Sequence, residues 1–184
     1  MRIAVTGGIA SGKSTILQML QEWGISTISG DAIARDVLWS PDVQAQLMER
    51  FSSTESVSPL MLRDLMSQGD DCRRAVNHIM HPAVAAEMAV STARVFEVPL
   101  LFETCLNVSF DAIWVAFCRP ETQSKRLQER YGKVIQFDPV SWQLDSKVLL
   151  SFADSVISTD GSTTETFESL LQEAKRWDLP LVVS

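Results

Sequence analysis

Residues 7–14 read G-G-I-A-S-G-K-S, and this stretch decides the fold. It matches the pattern G-x-x-x-x-G-K-S/T, with Gly7, Gly12, Lys13 and Ser14 at the defined positions. Glycines permit the tight turn in which successive backbone N–H groups point inward around phosphate oxygens. The lysine neutralises phosphate charge, and the serine hydroxyl is a ligand for Mg²⁺. The segment therefore predicts a phosphate loop that binds a nucleoside triphosphate.

The residues on both sides of the loop have the pattern that such a loop requires. A short apolar strand is expected at residues 3–5, and an amphipathic helix follows the loop, with Gly24 as its C-cap. This context argues against the alternative of a chance glycine-rich turn. The residues expected to contact the nucleotide are Gly8, Ile9, Ala10, Ser11, Gly12, Lys13, Ser14 and Thr15, and Ser14 is the expected metal ligand.

Strands and helices alternate along the rest of the chain. Further strands are predicted at residues 25–28, 95–101, 112–117 and 155–157, and a helical block is predicted from residue 32 to about 94. The expected breaks within that block are Pro41, Pro59, Gly69 and Pro82. This alternation predicts an α/β fold with a parallel sheet covered on both faces.

Three more helices are predicted in the second half of the chain. Pro120 is expected in the first turn of one helix, where its missing N–H does no harm. Asp138 is expected to cap a helix that runs to about Leu150. Ser162 and Glu165 form a capping box at the start of the last helix.

Asp31 follows the second predicted strand, in the segment S-G-D-A-I-A-R at residues 29–35. The C-terminal ends of parallel strands share one edge of a sheet, so we expect Asp31 to face the crevice of the phosphate loop. There it could orient or deprotonate an acceptor hydroxyl. The alternative is an N-cap for the helix near Ala32, and both roles could hold together. Arg35, one turn further, could meet an acceptor phosphate or form an i,i+4 ion pair with Asp31.

Four motifs together resemble those of the dephospho-coenzyme A kinase family. They are T-G-G-I-A-S-G-K-S at residues 6–14, D-A-I-A-R at 31–35, H-P-A-V at 81–84 and V-P-L-L-F-E at 98–103. They occur in the family's order and at about its spacing, and the resemblance extends to residues 120–130 and 153–161. The phosphate loop is common to many families, whereas V-P-L-L-F-E, preceded by H-P, is far more discriminating.

The resemblance implies that ATP, with Mg²⁺, phosphorylates the ribose 3′-hydroxyl of dephospho-coenzyme A to give coenzyme A and ADP, the last step of coenzyme A biosynthesis. It implies a three-layer P-loop kinase fold in a single domain, residues 1–184. A helical acceptor-binding region is expected at about residues 32–94 and a lid at about 119–150. The predicted catalytic residues are Lys13, Asp31 and Arg130, and the predicted acceptor contacts are Asp31, Arg35, His81 and Glu103.

Some of these residues also have simpler interpretations. His81 could contact the acceptor's phosphates or ribose, or it could cap or pack against the following helix. Glu103 could hold metal-bound water or a lid arginine, or it could be a helix-start carboxylate stabilised by the helix dipole. Arg126 and Arg130 fall on or beside the lid helix, where arginines can stabilise charge on transferring phosphates.

This chain departs from the family pattern at three places. Ser29, Gly30 and Asp31 stand where the family has Asp-Ala-Asp, so the first carboxylate is missing. Thr159 and Asp160 stand near the place where the family often has an asparagine close to adenine. Residues 131–146 are also poorer in arginine than a typical lid.

Composition narrows the classes of partner and location. The net charge of −7 and pI of about 4.8 argue against nucleic acid as the main partner. The chain has no signal-like segment and no apolar run near the roughly 20 residues that cross a bilayer, so we expect a cytoplasmic protein with a small-molecule substrate and no membrane partner. Three widely spaced cysteines are expected to be reduced thiols. Nothing in the sequence indicates an oligomeric state.

Two other functions remain open at this point. One is another small-molecule or nucleoside monophosphate P-loop kinase, which would use the same loop, lid and Asp31. The other is a non-catalytic nucleotide-binding module, which the missing first carboxylate favours. No guanine-reading N-K-x-D motif is present.

Overall fold

The computed structural model describes residues 1–131 and 144–182 of the 184-residue chain. Five strands form one parallel sheet in the order β2-β3-β1-β4-β5. The strands are β1 (Ile3–Thr6), β2 (Thr27–Ser29), β3 (Val95–Glu97), β4 (Ala112–Phe117) and β5 (Ser155–Ser158). In the register, Ile3 of β1 pairs with Val95 on one side and with Ala112 on the other. The predicted parallel α/β architecture is confirmed.

The first helix, α1 (Lys13–Glu22), begins directly at the phosphate loop. Its buried face packs in a core with β1 and with residues Leu170 and Ala174 near the C-terminal end of the chain. Gly24 ends the helix at φ +78, and the amide of Ile25 donates to the carbonyl of Leu20 over 2.9 Å. This is a Schellman arrangement, so the expected C-cap is confirmed.

Two predicted strands are shorter or displaced. Ile25 belongs to the C-terminal turn of α1, so β2 begins only at Thr27 and runs to Ser29. β3 ends at Glu97, although the amide of Val98 still donates to the carbonyl of Val5 over 3.0 Å. Pro99 then has no N–H for the ladder, and the chain turns away from the sheet.

The chain folds as two compact units, one of residues Ser29–Ser91 and a larger one of Met1–Ile28 with Thr92–Ser184. The first of these contains α2 (Gly30–Leu38), α3 (Pro41–Phe51), α4 (Pro59–Ser67) and α5 (Asp70–Val90). Pro41 and Pro59 occupy first helical positions and Gly69 is the N-cap of α5, so three predicted breaks are confirmed.

The predicted break at Pro82 is wrong, because this proline lies inside α5. An interior proline costs about 3 kcal/mol, since it removes one helical hydrogen bond and its ring crowds the preceding turn. The 21-residue helix packs against α2, α3 and α4. Its buried residues lie on both sides of the proline, with Val76 and Met80 before it and Met88 after it. Tertiary packing therefore outweighs the local preference.

The remaining helices belong to the larger unit: α6 (Pro120–Tyr131), α7 (Ser146–Ser151), α8 (Thr163–Arg176) and a 3-10 turn at Leu106–Ser109. Pro120 begins α6, and the capping box of Ser162 and Glu165 begins α8, both as predicted. Asp138 lies outside the described residues. α7 begins only at Ser146, with Asp145 accepting a 2.7 Å bond from the amide of Lys147, so no single helix runs from Asp138 to Leu150. No described helix combines the length and the apolar character needed to cross a bilayer.

Candidate active site

The phosphate loop joins β1 to α1 through a backbone that only glycine fits at two points. Gly7 has φ +141, and a Cβ there would lie 2.4 Å from the carbonyl oxygen of Ala116. Gly12 has φ +91, and its Cβ would lie 3.0 Å from the side chain of Thr159. The neighbouring strand β4 and the loop after β5 therefore set the glycine positions of the motif as firmly as the turn itself does.

Lys13 is held over the loop that precedes it. Its ammonium donates to the carbonyls of Gly7 and Gly8, each over 2.9 Å, and the side chain is only 8% exposed. Ser14 and Thr15 follow in the first turn of α1, and both are exposed. This first turn contains no acidic residue, so the positive end of the helix dipole is left for an anion.

The chemistry of the loop fits nucleotide phosphates and a Mg²⁺ ion. The hydroxyl of Ser11 is buried and has no hydrogen-bond partner among the described residues. An orphaned donor inside a glycine loop suits an incoming phosphate oxygen. The hydroxyl of Ser14 is exposed at the helix start, and hydroxyl oxygen is the kind of hard ligand that Mg²⁺ takes.

The outer side of the loop is bonded to α6 and to the loop after β5. Gln123 donates to the carbonyl of Ile9 over 2.8 Å, and Arg126 donates to the carbonyl of Ala10 over 3.3 Å. Arg126 also bonds both the hydroxyl and the carbonyl of Thr159. The Thr159 hydroxyl in turn donates to the carbonyl of Ser11 over 2.7 Å. Arg126, expected beside the transferring phosphates, thus bonds the outer face of the loop, a contact that sequence reasoning missed.

Asp160, next to Thr159, is held by α6. Its carboxylate accepts the Arg119 amide at 2.8 Å and the Arg119 guanidinium at 3.3 Å. Desolvation is the largest influence and raises the pKa of Asp160, but hydrogen bonds from Arg119 and Thr122 and the charge of Arg119 outweigh it, so the pKa is lowered. Thr159 and Asp160, which stand near the family's adenine-side asparagine, therefore have both side chains engaged within the protein.

A small pocket opens beside the loop. It reaches from Gly8 and Ser11, past the end of β4, to Gln123 of α6 and Leu149 of α7. Cys118 lines it as well, and burial raises the pKa of this thiol, against a smaller opposing effect of the Arg126 charge. A raised pKa favours the protonated thiol, and none of the three cysteines is in a disulfide.

Glu97 is a second carboxylate that sequence reasoning missed. It ends β3 and pairs in register with Val5, two residues before the loop begins at Gly7. The side chain is half-buried, and its carboxylate has no hydrogen-bond or ion-pair partner among the described residues. A carboxylate at the C-terminal end of the strand beside the loop strand is a usual magnesium ligand in phosphate-loop proteins. The available signal was the segment V-F-E immediately before V-P-L-L-F-E.

Glu103 lies in the turns after β3, and it is exposed. It is not in the first turn of a helix, so the interpretation as a dipole-stabilised helix start is wrong. Its carboxylate accepts the amide of Leu144 over 2.9 Å, and the neighbouring Phe102 packs against Phe152 with ring centroids 5.1 Å apart and ring planes at 36°. The V-P-L-L-F-E segment is thereby joined to α7.

Arg130 lies in the last turn of α6 and is exposed. The rest of the predicted lid between residues 132 and 143 lies outside the described residues. The structure therefore places the predicted phosphate-clamping arginine on the helix whose earlier residues, Gln123 and Arg126, hold the loop.

In the unit Ser29–Ser91, the structure leaves Asp31 and Arg35 exposed on α2. The N-cap of α2 is Ser29, and Asp31 lies within the first turn, so the capping interpretation of Asp31 is wrong. Among the described residues, Asp31 and Arg35 also form no ion pair with each other. Both simpler interpretations are therefore removed, and both charged groups are available to a ligand.

His81 lies inside α5, which packs against α2, so it caps no helix. The side chain is half-buried, and burial lowers the pKa of His81 below its ordinary value of 6.5. A neutral imidazole at pH 7 both donates and accepts a hydrogen bond, which suits a hydroxyl better than a phosphate. His78, one turn earlier, is exposed.

Comparisons with known proteins agree with this site. A family model for dephospho-CoA kinase matches residues 1–165. The chain is 36% identical over 192 residues to the dephospho-CoA kinase of Bordetella avium, covering 95% of this chain and 88% of that protein. It is 31% identical over 197 residues to the dephospho-CoA kinase of Geobacillus kaustophilus, covering 97% of each.

Among solved structures, the fold is similar to that of TT1252 from Thermus thermophilus, with a TM-score of 0.80, 23% identity and 97% of each chain covered. The predicted three-layer P-loop kinase fold and the family resemblance are thus both confirmed. The family match begins before the phosphate loop and extends past Thr159 and Asp160. The chain therefore belongs to the dephospho-CoA kinase family, the phosphotransferases that phosphorylate dephospho-CoA with ATP in coenzyme A biosynthesis.

Proposed function

We propose that this chain transfers the γ-phosphoryl group of ATP to the ribose 3′-hydroxyl of dephospho-CoA and releases coenzyme A and ADP. The observation that supports this most is the phosphate loop, with glycine-only geometry at Gly7 and Gly12 and Lys13 held across it. Family membership supplies the identity of the acceptor.

In this proposal the nucleotide is held by the loop. The amides of residues 8–15 surround the phosphates, and Lys13 leaves the carbonyls of Gly7 and Gly8 to neutralise the β- and γ-phosphate oxygens. Arg130, at the end of α6, closes over the γ-phosphoryl group and stabilises charge on its equatorial oxygens. The lid of which Arg130 is part spans about residues 119–150.

Mg²⁺ is the expected companion of ATP, and two residues of this chain fit it. The Ser14 hydroxyl is one candidate ligand, and the half-buried carboxylate of Glu97 is the other, directly or through metal-bound water. When bound, the ion neutralises charge on the β- and γ-phosphate oxygens. The family pattern has an aspartate where this chain has Ser29, so this chain lacks that carboxylate. Glu97 provides a different carboxylate.

The acceptor is held, in this proposal, by residues of the helical region at about 32–94. Asp31 orients the 3′-hydroxyl and accepts its proton as the in-line attack proceeds. Arg35 binds acceptor phosphate, and His81 hydrogen-bonds the ribose. Glu103 is a further proposed acceptor contact. The exposure of Asp31 and Arg35, which form no ion pair with each other within the described part of the chain, supports these roles.

The net charge of −7 favours a small-molecule substrate over nucleic acid. We place the reaction in the cytoplasm, where unpaired cysteines stay reduced and ATP is abundant.

The test is an ADP-release assay with Mg²⁺ and ATP, with and without dephospho-CoA, in which the product is identified by mass. We expect ADP release that depends on the acceptor and a product heavier by one phosphoryl group. Adenosine monophosphate and other acceptors without the pantetheine arm serve as the comparison panel. Preference for one of those acceptors, or no acceptor-dependent turnover while ATP stays bound, would overturn the proposal.

A further inference from the structure

We propose that Gln123, Arg126 and Thr159 are positioning residues that fix the outer carbonyls of the phosphate loop and so aim its amides at the nucleotide phosphates. The inference deepens the proposed function and rests on the loop being the ATP site. It assigns a role to three side chains that come from α6 and from the loop after β5.

Three consecutive loop carbonyls are each held by a different side chain. The carbonyl of Ile9 accepts from Gln123 at 2.8 Å, that of Ala10 from Arg126 at 3.3 Å, and that of Ser11 from the Thr159 hydroxyl at 2.7 Å. The Arg126 guanidinium also bonds the Thr159 hydroxyl at 3.0 Å and its carbonyl at 2.5 Å. Arg126 therefore links its own contact with that of Thr159, and Gln123 holds the third carbonyl from the same helix. We call these three side chains the carbonyl brace.

Because the peptide bond is planar, fixing the direction of a carbonyl also fixes the direction of the amide that follows it. In a planar trans peptide the C=O and the following N–H point in opposite directions. Carbonyls of residues 9, 10 and 11 that face the brace therefore direct the amides of Ala10, Ser11 and Gly12 to the other side, into the loop. The amide of Ser11 does point across the loop, since it donates to the carbonyl of Gly8 over 3.2 Å.

The loop has a conformation that needs such support. Ala10 has φ +58, in the left-handed region that residues with a Cβ seldom occupy. The Arg126 bond is made to the carbonyl of this same residue. Gly12, at φ +91, lies against the methyl and hydroxyl of Thr159, each 3.0 Å from the position of a Cβ. The brace thus contacts the loop at both of these unusual backbone positions.

The spacing of the brace follows from the helix that carries it. Gln123 and Arg126 are three residues apart in α6, so they lie on one face, and both are half-buried. Arg126 forms no ion pair with a carboxylate within the described residues, because its bonds go to carbonyl and hydroxyl oxygens. Arg126 therefore acts mainly through the hydrogen bonds that its planar guanidinium places. A lysine keeps the positive charge but lacks this planar group, so it should not replace Arg126.

The test measures dissociation constants for ATP and for inorganic tripolyphosphate, which has the phosphates but no base. Three variants each change one side chain of the brace: Gln123→Met, Thr159→Val and Arg126→Lys. We expect each to weaken both ligands by about the same factor, roughly tenfold for the loss of one well-placed hydrogen bond. KM for dephospho-CoA should stay near the wild-type value while KM for ATP rises.

Two kinds of control separate positioning from stability. Thr159→Ser keeps the hydroxyl and should bind both ligands as the wild type does. Gln172→Met and Thr164→Val make the same changes at exposed positions of α8 and should change neither constant. Weakened binding of ATP without weakened binding of tripolyphosphate would overturn the inference, as would a lowered melting temperature with unchanged dissociation constants.

The outcome is independent of the acceptor. If the wild type binds ATP and tripolyphosphate but does not phosphorylate dephospho-CoA, the proposed function fails. The binding comparison between brace variants and controls then still decides whether the brace aims the loop.

Discussion

The phosphate loop and helix α2 present their candidate residues in opposite states. Lys13 is 8% exposed and bonded to two loop carbonyls, and the three carbonyls that follow are held from outside. Asp31 and Arg35 of α2 are exposed and make no ion pair with each other. The candidate nucleotide-binding residues are therefore already held by hydrogen bonds within the protein, whereas the charged groups of Asp31 and Arg35 are exposed on their helix.

This difference predicts which variants should fail in binding and which in chemistry. Changes in the loop should weaken ATP binding as well as turnover, because the same groups contact the ATP phosphates before and during the transfer. Changes at Asp31 should spare ATP binding, because the proposal assigns this residue to the acceptor.

Lys13→Ala should have the largest effect and lower kcat/KM by about 10³-fold, because the variant loses the cation that stabilises charge on the transferring group. ATP binding should weaken as well. Steady-state kinetics and ATP titration check both results. Lys175→Ala, at the exposed end of α8, is the matched control and should behave as the wild type. A Lys13→Ala variant with near-normal turnover would remove the loop from the mechanism.

Asp31→Asn should lower kcat by about 10²-fold, the usual contribution of a positioned general base, and should leave the dissociation constant of ATP unchanged. The measurement is kcat together with equilibrium ATP binding. Asp36→Asn changes an exposed carboxylate on the same helix and should have no effect. Unchanged kcat in Asp31→Asn would show that the acceptor hydroxyl is activated by another group.

Gly7→Ala should weaken ATP binding and destabilise the fold, since the new Cβ meets the Ala116 carbonyl at 2.4 Å in addition to the strain of φ +141. Gly69→Ala is the matched comparison, because Gly69 has φ +134 but open space around its Cβ position. The free energy of unfolding of Gly69→Ala should fall only by the cost of the backbone strain, about 1–3 kcal/mol. Chemical denaturation of both variants checks the difference, and equal losses would mean that the contact with β4 is unimportant.

Glu97→Gln should raise the Mg²⁺ concentration needed for half-maximal ATP binding by about fivefold to tenfold, the effect of losing one charged ligand contact. The readout is Mn²⁺ binding followed by electron paramagnetic resonance in the presence of ATP, which needs no turnover. Glu168→Gln, on the exposed face of α8, is the control. Unchanged metal binding in Glu97→Gln would show that Glu97 is not a metal ligand beside Ser14.

His81 should give the smallest effect, a pH dependence of stability. Because burial lowers its pKa, the folded protein binds fewer protons than the unfolded chain as pH falls through 6.5, the ordinary value. Stability is therefore unaffected by this group above that pH and decreases below it. His81→Gln should flatten the decrease between pH 7 and pH 5 in denaturation curves, whereas His78→Gln, at an exposed position, should not. Equal slopes in the wild type and in His81→Gln would contradict this origin.

The features predicted correctly from the sequence are those that a few neighbouring residues specify. They are the motif of the phosphate loop, the glycine that ends α1, the prolines that begin α3 and α4 and the capping box of α8. The family assignment also followed from short motifs in order. Each of these signals is complete within about ten residues, so no knowledge of the fold is needed to interpret it.

Other features were decided only by tertiary structure. Pro82 stays inside α5 because three other helices pack against it, and β3 stops at Glu97 because the chain leaves the sheet at Pro99. The exposure of Asp31 and the lowered pKa of His81 depend on what packs around them.

The carbonyl brace is the clearest case of this division. It joins Ile9 to Gln123 and Ser11 to Thr159, pairs that are 114 and 148 residues apart in the chain. The sequence by itself determined that the loop binds phosphate, because glycine, lysine and serine at fixed spacing carry that chemistry. Only the folded sheet decided which side chains support the loop, because hydrogen bonds over such separations exist only after the intervening chain has folded.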